Sequence, residues 1–269
     1  MTPEQAERLL DEAAMLQDAP LDVARVALAL SKLSEPERDL AESVSHIETL
    51  ALDNSLPRAS ATAGPVFLSA WISGNHGYSG DRESYNDLRN ADLASVIERR
   101  RGLPVALGIL YIHVARGLGW EAFGLNTPGH FLIAVQGPGY QSIVDPFNDG
   151  MVVSEEDLAR LMRHVGVTER LVVTAVPDRS ILLRLQNNIL LRARDAGDRP
   201  AALETALRMR RLAPDLAGLA IETSDIQAEL GEIVGARETL TSYLDSGHGS
   251  PAERNRLQLN LDRLNRSLN

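Results

Sequence analysis

At 269 residues the chain is long enough for one large domain or two ordinary ones. Apolar residues make up 44% and aromatic residues 4%, so a core must be assembled from Leu, Val, Ile and Ala, and the absence of Cys excludes disulfides, thiolate metal sites and a cysteine nucleophile. The net charge of −10 falls entirely before residue 178, with 24 acidic against 14 basic groups there and 13 against 13 beyond, which argues against nucleic acid as a partner of the front half.

The opening residues "MTPEQAERLLDEAAMLQD" are too acidic for a secretory signal. No run reaches the ~18 apolar residues of a membrane span, so a soluble cytoplasmic chain with no membrane partner is expected. Residues 3 to 54 read as helices. Val23, Val26, Ala27 and Leu30 share one face, Leu21 lies just before it, and Leu40, Val44, Ile47 and Leu50 continue at helical spacing up to Pro57. A short apolar run and a Gly-, Asn- and Ser-rich loop follow, containing "GNHGYSG". "LRNADLASVIERRRG" predicts a short helix stopped by Gly102.

"LPVALGILYIHVARGLGW" predicts a helix with Pro104 in its first turn, where a missing N–H costs nothing. Leu107, Leu110, Val114 and Leu118 form its buried stripe, His113 falls on its outer face, and Gly119 ends it. "PGHFLIAVQGPGYQSIVDPFN" reads as a hairpin whose first strand starts at His130. With the turn centred on Gly137-Pro138, residues whose numbers sum to 275 are opposed, and His130 and Asp145 satisfy that sum. Opposed side chains lie ~4.5–5.5 Å apart at Cβ, within reach of a carboxylate–imidazole hydrogen bond. Ser154 and Asp157 read as a capping pair for the next helix, and "ERLVVTAV" as a strand closed by Pro177.

The tail is helical and repeats. Gly197 and Gly231 lie 34 residues apart, as do Ala202 and Ala236, which is the period of tetratricopeptide repeats. Pro214 closes the first unit, His248 stands where the second would place its proline, and "PAERNRLQLNLDRLNRSL" reads as a capping helix.

His130 and Asp145 resemble the base and orienting carboxylate of a hydrolytic triad; the plain alternative is a histidine held by a carboxylate for structural reasons. Ser69, Ser73, Ser79 and Ser84 lack a nucleophile-elbow context, and the single lysine, Lys32, is remote in sequence. His76, His113, His130 and His164 have no metal-ligand spacing, so no metal and no cofactor are expected. Arg99-Arg100-Arg101 suits a helix C-terminus; the alternative is an anion or carboxylate clamp beside the hairpin. Trp71 and Trp120 read as core. Asn75, His76 and Tyr78 are candidates for the mouth of a pocket; Asn86, Asp87, Arg89 and Asn90 read first as ordering the loop over it by Asx-type bonds, with Asn86, Asn90 and Arg101 as ligand-binding candidates.

"ESYNDLRNADLASVIERRRGLPVALGILYIHVARGLGW", "FGLNTPGHFLIAV" and "SIVDPFN" together resemble the SirB family of bacterial transglutaminase-like proteins. The resemblance implies an α+β chain: a helical segment over 1–58, a transglutaminase-like (papain-like) core with a small antiparallel sheet over 59–177, and an all-α tetratricopeptide-like tail over 178–269. In active relatives the helix opens with the nucleophilic cysteine, and Pro104 stands at that position. The histidine and aspartate match His130 and Asp145. The expected function is therefore that of a non-catalytic binding, scaffold or regulatory protein, engaging an unidentified protein or peptide through its repeats or its cleft. The alternative is a weak hydrolase or transferase using His130 and Asp145 as a general acid–base pair.

Overall fold

The computed structural model describes residues 1–16, 19–52, 64–137, 139–164 and 173–266. They form two compact units, one of Met1–Leu9 with Asp18–Leu185 and the other of Leu10–Gln17 with Gln186–Asn269.

In the first unit, the front helices are α1 (Pro3–Met15, whose second half belongs to the other unit), α2 (Val23–Ser34) and α3 (Ala41–Leu52). Asp22 caps α2 by accepting from Arg25 N. Val23, Val26, Ala27 and Leu30 are all buried, as their spacing predicts. α4 (Gly64–Ser69) continues directly into a π-helical segment, Ala70–Asn75. The short apolar run is therefore helical, and only the first residues of the Gly-, Asn- and Ser-rich loop join it. A 3₁₀ turn over Leu88–Asn90 and helix α5 (Leu93–Arg99) come next. α5 ends at Arg100, left-handed at φ 59, and not at Gly102, which already pairs with Gly80 in a two-stranded parallel ribbon of β1 (Ser79–Gly80) and β2 (Arg101–Gly102).

α6 (Pro104–Gly117) is the central element, with Pro104 in the first turn and Leu103 as N-cap. Its sequence predicts one buried stripe, but eleven of its residues are buried and the helix is covered all round. Gly108 makes this possible on one side: a Cβ there would lie 2.4 Å from the Phe131 ring. His113 is not on an outer face. Its Nε2 is 3.0 Å from Ile47 O and its Nδ1 is 3.4 Å from Asp22 Oδ1, so it ties α6 to α2 and α3.

β3 (Glu121–Gly124), β4 (Ile133–Gly137), β5 (Tyr140–Asp145) and β6 (Met151–Val153) form an antiparallel meander in chain order. Ala134 and Ile143 share a cluster with Leu158 and Leu161 of α7 (Glu155–His164). Ile133 lies toward α6. Ser154 Oγ accepts from Asp157 N at 3.1 Å and bonds its carboxylate at 2.6 Å, closing the capping pair. Of the strand expected over 169–176, residues up to 172 lie outside the described residues, and Ala175 makes a single bridge to Leu125. Pro57 and Pro138 also lie outside them.

α8 (Asp178–Asp195) starts in this unit. Asp178 is buried and takes a two-pronged ion pair from Arg116 at 2.6 and 2.9 Å, while Arg116 also donates to the carbonyls of Leu21 and Ala122. All five N–H protons of Arg116 have acceptors and Asp178 Oδ2 also accepts from Leu21 N at 2.8 Å, the condition under which such a pair is tolerated.

The second unit continues through α9 (Arg199–Leu212), α10 (Ala217–Glu229), α11 (Ile233–Asp245) and α12 (Pro251–Arg266). Consecutive helices from α9 onward pack together, and Ala217, Ala220, Ala236, Leu240, Tyr243 and Leu257 form a core of small and branched side chains. Gly197 and Gly231 hold φ of 73 and 80 at equivalent helix junctions, which only glycine adopts without strain.

Candidate functional site

His130 precedes β4 and is not its first residue, because the strand begins at Ile133. The hairpin register also differs from the sequence reading. Ile133 opposes Val144 and Gly137 opposes Tyr140, so paired numbers sum to 277. A shift of two keeps the same face, since side chains alternate with period two. His130 therefore still meets Asp145, from a turn and not from a ladder position. Its Nε2 lies 2.8 Å from Asp145 Oδ2.

The turn that carries His130 is braced from two sides. Thr127 Oγ1 donates to His130 O at 2.7 Å. The Arg184 guanidinium of α8 donates to His130 O at 3.0 Å and to Thr127 O, and stacks over the Phe131 ring at 5.3 Å. The imidazole itself carries one hydrogen bond among the described residues, on Nε2, and Nδ1 is left for another group.

Asp145 ends β5 and caps the 3₁₀ turn Pro146–Asn148. Oδ1 accepts from Phe147 N at 3.0 Å and Asn148 N at 3.2 Å. Oδ2 accepts from His130 Nε2 and from Asn148 Nδ2 at 2.6 Å. Burial pushes the carboxyl up, but the bonds from His130 and Asn148 outweigh it and hold it below the ordinary value of 3.8. The carboxylate is charged at neutral pH and fixes Nε2 as the protonated nitrogen.

Phe147 forms the next wall. Its ring stands edge-on to His130 at 6.5 Å and to Tyr85 at 5.8 Å, and Arg82 lies over it at 5.4 Å while also bonding Asn148 Oδ1. On the other side of Asp145 and Asn148 a cavity of about 310 Å³ opens between β6 and α7, lined also by Met151, Val153, Asp157, Arg160 and Leu161.

The other candidates fall elsewhere. Tyr78 is buried, its hydroxyl 2.8 Å from His46 Nε2 and bonded to Arg100, and His76 stands edge-on to Trp71 and His46. Asn75 is exposed at the end of the π-helical segment, and Asn86 is exposed before the 3₁₀ turn. Asn90 is fully buried. Its amide spans Ser84 O and Arg99, and its carbonyl accepts from Leu103 N at 2.9 Å. Asn90 thus fixes the start of α6 and presents no face to a ligand. Arg101 is exposed and pairs with Glu83 at 3.2 Å. Pro104 is buried at the first position of α6, a helix that packs on the 3₁₀ turn carrying Phe147. Ser69 donates to the carbonyls of Pro65 and Gly150, and Ser84 to Asp81, and no described hydroxyl bonds the His130 imidazole. Among the described residues no group of three or more His, Asp or Glu could hold a metal ion.

Asn148, Phe147, Arg82 and Arg184 escaped the sequence reading. Asn148 had a local signal, lying three residues after Asp145 in an Asx-type turn. Arg184 had none, because it reaches the turn from a helix more than fifty residues on.

Residues 37–187 match the family model described as the transglutaminase-like superfamily. The chain belongs to that superfamily. A UPF0162 protein of Pseudomonas aeruginosa is 31% identical over 219 residues, which cover 80% of this chain and 78% of the relative. A UPF0162 protein of Xylella fastidiosa is 34% identical over 175 residues, covering 62% of each, so the chain spans less than two thirds of that relative's length. Outside bacteria, the F-box only protein 21 of Mus musculus is 29% identical over 122 residues, 42% of this chain and 19% of that protein. Within the superfamily frame, α6, the hairpin of β4 and β5 and the His130–Asp145 pair all fall inside the matched segment. No helix among the described residues is long and apolar enough to cross a membrane.

Proposed function

We propose that this member of the transglutaminase-like superfamily, SirB-like in its motifs, is a pseudoenzyme that acts by binding. The observation that carries the reading is chemical. A base and its orienting carboxylate are held at 2.8 Å, while the chain has no cysteine and begins α6 with Pro104. Covalent acyl transfer requires a nucleophile activated by an adjacent base. An imino acid offers none.

The supporting features suit a binding role. Asp145 and Asn148 border a cavity that Met151, Val153 and Leu161 also line, and Asp145 is fully engaged in orienting its neighbours. The tail, with glycine junctions 34 residues apart, supports a tetratricopeptide-like arrangement of helix pairs suited to a protein or peptide partner. The partner is then a protein segment, in a cytoplasmic setting, and neither nucleic acid nor membrane.

The second reading is a weak hydrolase in which His130, through Nδ1, activates water. The oriented imidazole favours it, and a positioned base contributes ~10²–10⁴-fold on its own. Turnover assays with amide and activated-ester substrates separate the two. Binding alone predicts rates indistinguishable between the wild type and His130→Ala. Turnover above background that His130→Ala abolishes overturns the pseudoenzyme reading.

A further inference from the structure

A second polar cluster lies apart from the His130–Asp145 pair and does not depend on its role. Among the described residues, Arg100 is one of two non-glycine residues with positive φ, at 59. Glycine or asparagine caps a helix there with less strain, so arginine at this position points to work for its side chain. The guanidinium NH1 reaches the Tyr78 hydroxyl and lies 2.6 Å from His46 Nε2, and its plane covers the Tyr78 ring at 4.7 Å.

The charge balance of this cluster is unusual. Arg99 pairs with Asp81 at 2.9 Å and Arg101 with Glu83. Arg100, between them, has no carboxylate partner among the described residues, and none of those residues bonds its Nε or NH2. His46 does not share the charge. Arg100 NH1 and the Tyr78 hydroxyl both converge on its Nε2, which must therefore be the unprotonated nitrogen. The cluster holds a partly buried guanidinium whose Nε and NH2 meet no partner among the described residues.

Rings wall the cluster. His76 stands 5.8 Å from His46 and 4.5 Å from Trp71, both edge-on. Arg100, His46, His76 and Trp71 each keep partial exposure, so a small ligand has access. A guanidinium fork matches a carboxylate in two parallel bonds, and a wall of rings favours a flat apolar body beside it.

We infer that Arg100, with His46 and Tyr78 behind it and Trp71 and His76 beside it, forms a binding site for a small carboxylate carried on an aromatic body. The two hydrogen bonds come from Arg100 Nε and NH2, and the rings take the body.

Benzoate, acetate and inorganic phosphate titrated into the full chain at pH 7 test this, with tryptophan fluorescence and the imidazole proton resonances as readouts. Benzoate is expected to saturate, to move the His46 and His76 resonances, and to bind at least about tenfold more tightly than acetate. Arg100→Gln and Arg100→Lys are both expected to weaken it about tenfold or more, since lysine keeps the charge but loses the fork. Arg101→Gln is expected to leave it unchanged. Arg100→Lys also serves should Arg100→Gln fail to fold. Absence of saturation by benzoate, equal affinity in Arg100→Lys, or saturation by phosphate alone overturns the assignment.

Discussion

Replacing Asp145 with asparagine tests the geometry of the pair most finely, because one atom changes. In the wild type Oδ1 accepts two backbone amides and Oδ2 accepts His130 Nε2 at 2.8 Å and Asn148 Nδ2 at 2.6 Å. Asparagine keeps one oxygen. If it stays on the amides of Phe147 and Asn148, its own NH₂ faces two donors. His130 escapes by changing tautomer, so that Nε2 accepts. Asn148 has no such escape and loses its partner. A hydrogen bond to a charged group contributes ~1.5–3 kcal/mol and a neutral one ~0.5–1.5, so one lost and one weakened bond come to ~2–4 kcal/mol. Relief from burying a charge at a residue only 4% exposed offsets part of that, leaving about 2–3 kcal/mol. Urea denaturation at pH 7 measures it. The sign with pH is also fixed. The carboxyl is held below 3.8, so its contribution is complete above that value and is lost as pH falls through the folded value. The gap between the two proteins should therefore shrink below about pH 4. A loss under about 0.5 kcal/mol at pH 7, or a gap unchanged at pH 3, refutes the argument.

Gly108→Ala places a methyl 2.4 Å from the buried Phe131 ring, whose face the Arg184 guanidinium covers at 5.3 Å. Overpacking costs ~1–3 kcal/mol against ~1 kcal/mol of helix propensity gained, so a net loss of up to ~2 kcal/mol is expected in urea denaturation, and a stabilised variant contradicts the packing. Gly231→Ala meets no neighbouring atom but must hold φ 80; a loss of about 1–2 kcal/mol is expected in thermal unfolding, and no loss contradicts the strain argument. His46 has its imidazole lowered from 6.5 to about 4, first by burial and then by the charges of Arg100 and His76. Its contribution to stability is complete above pH 6.5 and falls as pH drops toward 4, because the unfolded chain takes up the proton first. Its NMR titration midpoint should lie near 4. A midpoint near 6.5 contradicts the buried cluster.

The sequence carries more of this architecture than of its sites. The start of α6 is legible because proline at a first helical position has a local physical reason, and the Ser154–Asp157 pair is legible for the same cause. The hairpin register is not, because a two-residue change in turn position alters neither the alternation nor the face, and period two is all the pattern encodes. Parity was enough to bring His130 and Asp145 together. Tyr78 reads as pocket-lining because polar residues in Gly-rich loops usually face solvent, while Asn90 reads both as a loop-ordering residue and as a ligand candidate. Here Asn90 is consumed in anchoring α6, and Tyr78 is buried against Arg100 and His46. Arg100 was read only within a basic run, since neighbouring arginines look equivalent until the chain folds and two of the three find carboxylates.

The pseudoenzyme we propose has Pro104 at the place from which a nucleophile would face His130, and this chain offers a clean way to ask. It contains no cysteine, so Pro104→Cys introduces the sole thiol. Its rate of alkylation by iodoacetamide across pH reports its pKa directly. A thiol at a helix N-terminus beside the imidazole should titrate clearly below the free value of ~8.5, and His130→Ala should raise it toward that value. A thiol that titrates like a free one, or whose reactivity ignores His130, contradicts the account.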